Sequence, residues 1–532
     1  MRLPGLSGLS VFRVRFPLLL ASLALACSAQ ASLIAGSSDN VGPGLGGTAI
    51  NNFVVNPDGI GHHLIVPFFS VQNGGATILN LVNTDPVNAK AVKVRFRGAT
   101  NADSVFSLTV FLSPGDVWNA AVTRNADSGL AQLVSGDDSC TLPVVNKGVP
   151  ASFTTVRLNP ALSTADQAGQ TREGYVEILT MADIPSSSVT TSLFQAVSQQ
   201  TGGARNCAAA AIAATQKDAT TEGQATALGF ASPVGSLRAT WTLINVPQTL
   251  TFSGAATALL GVDKVTNVPG RGNFMFFPQS DSLTGNADGF TADPLLRQVP
   301  AASKTYDGRT GTYVSASLPL VKPTFADFPD LSTPLLSGLA DPMAQASLIS
   351  KVLAVKSVRN DYATDLTVNA ATDWVFTRPT LRFSVAMDYI QSRRVYSLMP
   401  GNDNLEFFSD ENISLKDGKV CTDNSFVFYD REEASRTNGA DTQLSSAFSV
   451  KLCGAAAALL FGTAPVSAVG ASVTAELTGT RAFANGWGRI DLNNRYTGVP
   501  VLGGAFVKAS NPSAAAGVSG NYGITTVHKF SR

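Results

Sequence analysis

The sequence predicts a mainly β protein: two immunoglobulin-like antiparallel β-sandwich modules, related by a degenerate duplication, with an irregular, partly helical region between them. Three observations carry this expectation. Short runs that alternate apolar and polar residues, the signature of half-buried strands, recur through both halves of the chain. Gly, Pro and Asn turns punctuate those runs. Elements of one kind then return in the same order near the C-terminus.

The chain starts with a targeting segment. Arg2, Arg13 and Arg15 precede an apolar run from Phe16 to Ala26, and Ala29-Gln30-Ala31 supplies a small-x-small cleavage site. Residues 1–31 therefore read as a signal peptide cleaved near Ala31, which places the mature protein outside the cell or on its outer surface. The apolar run is too short to span a bilayer. Cys27 raises a lipoprotein alternative, but Ala24-Leu25-Ala26 is a poor lipobox. Residues 32–60, rich in Gly, Ser and Asn, read as a flexible N-terminal arm or an exchanged edge segment.

The first module is expected over residues 61–247. Leu64 to Phe69 leads through Asn73-Gly74-Gly75 into Thr77 to Asn83. Val92-Lys93-Val94-Arg95-Phe96-Arg97 then alternates without a break. Phe106 to Leu112 follows, and Ser113-Pro114-Gly115-Asp116 turns the chain into Val117 to Val122. Gly174 to Leu179 and Pro233 to Trp241 complete the module around an insertion, 183–232, whose Ala208 to Thr215 is weakly helical. The connecting region covers 248–370. Its Asp327 to Thr333 and Pro334 cannot continue a helix or central strand through two prolines. Residues 341–356 form a helix, with Asp341 as N-cap and Pro342 at the first helical position.

The second module is expected over 371–510, with a C-terminal strand or tail over 511–532. Phe426 to Arg431 parallels the alternating strand at 92–97. Gly486-Trp487-Gly488-Arg489-Ile490 matches Gly174-Tyr175-Val176-Glu177-Ile178, and Pro500-Val501-Leu502 matches Pro233-Val234-Gly235. Four cysteines follow the leader: Cys140, Cys207, Cys421 and Cys453. An even number in an oxidising compartment reads as two disulfides with three possible connectivities. The repeat favours Cys140–Cys207 and Cys421–Cys453, each pair within its own copy.

Composition excludes some functions. Basic and acidic residues number 38 each, and three of the arginines lie in the leader, so the mature chain is slightly acidic and unsuited to nucleic acid. No later run approaches the ~20 apolar residues of a membrane helix. The final Phe530-Ser531-Arg532 lacks the terminal aromatic common in outer-membrane barrels. No transmembrane segment is expected.

No catalytic constellation stands out. The histidines are His62, His63 and His528, and the mature chain has no Gly-x-Ser-x-Gly elbow. Adjacent His62 and His63 would point to opposite faces of a strand, which disfavours joint metal ligation. Glu173 and Glu177 would stand roughly 13 Å apart along a strand at ~3.3 Å per residue. A glycosidase pair needs about 5–9.5 Å. Asp281, Asp288 and Asp293 form the best calcium candidate, although their spacing is not that of an EF-hand; no other cofactor is indicated. Lys93, Arg95 and Arg97 share one strand face and are candidate contacts for an anionic glycan or lipopolysaccharide. A solvated face that blocks edge pairing explains the same row.

Several longer motifs resemble a family of secreted proteobacterial cell-surface proteins, some of them surface-layer components. They include Val92 to Gly98, Phe111 to Trp118, Glu173 to Ile178, Thr291 to Leu296, Asp327 to Pro334, Thr372 to Phe376 and Phe428 to Glu433. The resemblance implies an outer-surface location and a structural role, and it transfers no catalytic residue. The expected function is thus a secreted, non-enzymatic structural protein of the cell surface that self-associates as a surface layer or envelope coat. Sparse charge, at 14% of residues, suits close packing of copies. An alternative is an adhesin that binds envelope polysaccharide through aromatic platforms such as Trp118 or Trp241. A secreted glycoside hydrolase ranks third.

Overall fold

A computed structural model describes residues 33–198, 205–215, 219–275, 289–297, 305–307, 312–314, 320–396, 407–408, 412–429, 435–436, 448–461, 467–478, 485–492, 498–515 and 518–532. Strands dominate, and every strand pairing that forms a sheet is antiparallel.

In the first half, one sheet runs in the order Asn52–Asn56, Thr257–Val262, His63–Ser70, Glu173–Ile184, Ala89–Gly98, Ser104–Leu112, Thr141–Leu142. The facing sheet runs Ala151–Ser152, Ala131–Ser135, Val117–Arg124, Gly75–Asn83, Leu237–Asn245, Leu250–Ala255. Strand alternation decides what each face does. Val92, Val94 and Phe96 point between the sheets and meet Leu79, Leu81, Trp118 and Trp241.

The second half is also built from antiparallel sheets. One sheet runs Glu476–Thr478, Phe448–Cys453, Lys419–Tyr429, Asn485–Asp491, Ser357–Ala363, Lys529–Ser531. The other runs Ala456–Phe461, Ala371–Thr377, Leu502–Ala515, Val518–Val527. In the first half His63–Ser70 pairs with Glu173–Ile184, while Leu237–Asn245 pairs with Gly75–Asn83.

The halves are joined by a continuous core. The strand Ala371–Thr377 is buried on both faces. Trp374, Phe376 and Phe461 enter the core of the second half, while Val375, Ala458 and Phe506 enter that of the first. Phe506 lies 5.8 Å from Trp241 and 5.4 Å from Phe252, ring centre to ring centre. Polar contacts accompany the apolar ones: the buried Glu173 carboxylate accepts the backbone N–H groups of Ser472 and Val473 at 2.7 and 2.8 Å.

A third layer covers the outer face of the first sheet. It is built from the insertion's short helices, the segment from Asp327 to Leu336, and the helix Pro342–Leu353. Asp341 caps that helix through a 2.9 Å bond from Met343 N to its Oδ1, with Pro342 at the first position as the sequence requires. The N-terminal segment belongs to this layer and is not a loose arm. Ile34 bridges to Phe274 and is buried, Ile50 is buried, and Ser37 donates twice to Glu222 Oε1 at 2.8 and 2.9 Å. Cys140 and Cys207 stand at disulfide distance, as do Cys421 and Cys453, so each pair closes within its own half.

The shared core predicts that Phe506→Ala destabilises the protein by about 3–5 kcal/mol, the usual cost of deleting a buried phenylalanine. Denaturant unfolding followed by tryptophan fluorescence and by circular dichroism should move together to a lower midpoint, because both halves lose a contact.

Candidate functional site

The side chains of Lys93, Arg95 and Arg97 point away from Val92, Val94 and Phe96, as the alternation requires. They do not reach solvent. All three are buried, because the third layer lies over that face. The expected solvent-facing grip for an anionic glycan is corrected to an interior polar layer.

The layer is assembled from distant parts of the chain. Arg95 lies directly opposite Glu177 on the neighbouring strand. The Glu177 carboxylate is 3.1 Å from Arg97 Nε and 3.8 Å from Arg95 Nε. Arg95 Nη2 donates to the Pro329 carbonyl at 2.8 Å, and Arg97 Nη1 to the Ala102 carbonyl at 3.1 Å. Asp330 approaches Arg97 Nη2 at 3.8 Å while accepting from Thr291 and Ser332 hydroxyls at 2.6 and 2.5 Å. Gln345 of the helix Pro342–Leu353 fastens the covering segment: its Oε1 accepts Leu335 N at 2.6 Å, and its Nε2 donates to the Leu331 carbonyl at 2.9 Å. Lys90 and Asp183 form a further buried pair.

A second cluster adjoins the first. Arg382 donates through Nη1 to Asp103 at 2.6 Å and through Nε to Asp293 at 2.8 Å. The Tyr389 hydroxyl donates to the other Asp103 oxygen, and Arg157 pairs with Asp327. Asp293 is therefore engaged by an arginine and does not stand in a calcium loop, which corrects that part of the calcium expectation. Asp281 and Asp288 lie outside the described residues. Among the described residues, no group of three or more His, Cys, Asp or Glu is placed to hold a metal.

Burial sets the proton affinities. It drives the Lys93 ammonium down to about 7, with Arg95 adding repulsion and Asp327 opposing both. Arg95 falls to about 10, mainly through burial. Arg97 is also desolvated, but Glu177, Tyr175 and Asp330 together outweigh that cost and hold it above its ordinary value. Burial raises Glu177 and Asp103 against the pull of their arginines. Asp183 rises to about 6 for the same reason, with Lys90 opposing. His62, His63 and His528 are all buried, and desolvation depresses them to about 3, 4 and 3. They are neutral packing residues: His62 accepts Gly261 N, and His528 contacts the Val375 carbonyl.

Where the two clusters meet, a cavity of about 170 Å³ opens between the halves. Arg97, Arg157 and Arg382 line it together with Leu295, Leu296 and Met387. No family model, curated protein or solved structure matches the chain. The cavity is thus read from its own residues. Sequence reasoning identified Lys93, Arg95, Arg97 and Asp293 as positions of interest but assigned them to a surface row and a loop. It missed Arg157, Asp327, Arg382 and Tyr389. The available signal was the acid-rich segment from Asp327 to Asp330, which supplies countercharge to a basic strand.

Among the described residues no carboxylate lies within ion-pair distance of Lys93, so its charge is the least compensated in the layer. Its proton affinity is lower folded than unfolded. The unfolded chain therefore binds the extra proton between about pH 7 and 10.5, and stability rises with pH across that window. Lys93→Met should stabilise the protein at pH 6 by up to a few kcal/mol, at about 1.4 kcal/mol per tenfold change in proton affinity. The gain should shrink as the pH rises from 7 toward 10, as checked by urea titrations at several pH values.

Proposed function

We propose that this chain is a non-enzymatic structural protein of the outer cell surface that associates with copies of itself. The observation that carries this reading is the strand Val518–Val527. It ends its sheet, and among the described residues no further strand pairs with its outer edge. Tyr522 and Ile524, on one face two residues apart, are 61% and 56% exposed, and Val527 is exposed as well. An open edge bearing apolar side chains is a template for strand addition by another chain.

The duplication expected from the sequence fits this reading. The order His63–Ser70, Glu173–Ile184, Ala89–Gly98, Ser104–Leu112 corresponds to Ser357–Ala363, Asn485–Asp491, Lys419–Tyr429, Phe448–Cys453. Val117–Arg124, Gly75–Asn83, Leu237–Asn245, Leu250–Ala255 corresponds likewise to Ala456–Phe461, Ala371–Thr377, Leu502–Ala515, Val518–Val527. We infer two copies of one unit, each of which ends its second sheet on the corresponding strand, Leu250–Ala255 or Val518–Val527. The signal-peptide reading and the resemblance to cell-surface proteins supply the location.

Electron microscopy and sedimentation of the mature protein should show sheets, tubes or higher oligomers, with and without EDTA. Ile524→Lys should shift the population toward monomer without lowering the thermal midpoint. Persistent wild-type monomers at all concentrations would remove self-association from the reading.

One observation favours the adhesin alternative. Trp118 and Trp241 are buried and unavailable for sugar stacking, but Trp487 stacks on Tyr429 at 3.9 Å and both are only half-buried. If that pair receives envelope polysaccharide, Trp487→Ala should abolish retention of the protein on polysaccharide-coated resin.

A further inference from the structure

The cavity between the halves has open hydrogen-bonding capacity of one kind. Its acids are occupied. Asp293 accepts from Leu295 N and Arg382, Asp327 from Arg157 and Thr324, and Asp388 from Ile390 N and Arg393. The Tyr389 hydroxyl is bonded to Asp103 and Asn101. Its donors are not. Among the described residues, Arg382 bonds through Nε and Nη1 only, and Arg97 Nη2 has nothing nearer than Asp330 at 3.8 Å. Both arginines are buried, so these amino groups have little bulk water to satisfy them. The cavity thus calls for an acceptor oxygen.

The charge count narrows the head group. Three guanidinium groups (Arg97, Arg157, Arg382) and three carboxylates (Asp293, Asp327, Asp388) line the space. No net positive charge remains to draw an anion, which favours an uncharged carbonyl over a carboxylate. The remaining wall is apolar, with Leu295, Leu296, Val321 and Met387 prominent. That wall continues outward. Val156 from the first half and Ile390 from the second both line the cavity, yet they are 80% and 84% exposed. Two bare aliphatic side chains at one mouth match a chain that leaves the cavity between them. At about 170 Å³ the space is close to a cavity of ~150 Å³ that takes benzene. It holds a head group and the first few carbons of a chain, and no more.

We infer that this cavity binds a straight-chain acyl compound. Its uncharged carbonyl oxygen accepts from Arg97 and Arg382, its first carbons lie on Leu295, Leu296 and Met387, and its tail runs out over Val156 and Ile390. The site requires both halves of one chain and is independent of association between chains.

The test uses hexanamide, octanamide and octanoate with the full mature protein, read by saturation-transfer NMR and calorimetry. Octanamide should bind more tightly than hexanamide, by roughly fourfold for each methylene the rim covers. Octanoate should bind more weakly than octanamide. Ile390→Glu and Val156→Glu alter exposed positions, so the fold is retained; they should erase the chain-length preference while hexanamide still binds. Leu296→Trp, verified as folded by circular dichroism, should fill the space and abolish binding of every probe. Absence of binding by both amides to folded wild-type protein would overturn the inference, as would unchanged affinity in Leu296→Trp. Tighter binding of octanoate than octanamide would overturn the uncharged head group.

Discussion

The structure depends on a row of cations that cannot reach water. Lys93, Arg95 and Arg97 lie on the covered face of one central strand, and each carries a desolvation cost of several kcal/mol unless anions or carbonyls meet it. The partners come from separate places: Glu177 from the adjacent strand, Pro329 and Asp330 from the covering segment. Pairs of this kind add little net stability over apolar packing, but removing one partner strands a buried charge at a cost of about 3–5 kcal/mol. Their chief effect here is placement. The segment from Asp327 to Leu336 has one position in which its carbonyls and carboxylates meet these side chains, and Gln345 locks it there.

Much of the β architecture was legible in the sequence. The run at 92–97 is a central strand, its even-numbered residues face the core, the helix after Asp341 begins at its cap, and the cysteines pair within halves. What misled was the meaning of polarity. Period-2 alternation separates two faces of a strand but does not say what lies beyond the polar one. An arginine answered by Glu177 and Asp330 is as polar in sequence as one in water. Residues 33–51 illustrate the same gap. Their Gly and Ser content suggests looseness, whereas Ile34 and Ile50 are sealed by partners more than two hundred residues away. Strand order was similarly hidden: local pattern identifies strands, and pairing is settled by packing of the whole.

The common core explains why a cavity sits between the halves. The strand Ala371–Thr377 is buried on both faces, so its sheet closes the second sandwich and abuts the first. Its neighbour, the turn around Ile390, is brought beside the loop at Val156, and the ionic clusters of the two halves meet there. Arg382 is the link, since it reaches from the second half to Asp103 in the first.

The separations bridged by these contacts have a consequence for how the chain acquires its form. Ser37 bonds to a residue 185 positions later, Arg95 to one 234 later, and Asp103 to one 279 later. Chains dominated by such distant pairings fold slowly, because loop closure must precede the contacts that compensate it. During synthesis the strand bearing Lys93, Arg95 and Arg97 emerges long before its cover. Its charged face is then open to solvent, and charged strand faces resist pairing with other chains. The same side chains that end as the innermost polar layer thus begin as the hydrated surface of an unfinished sheet.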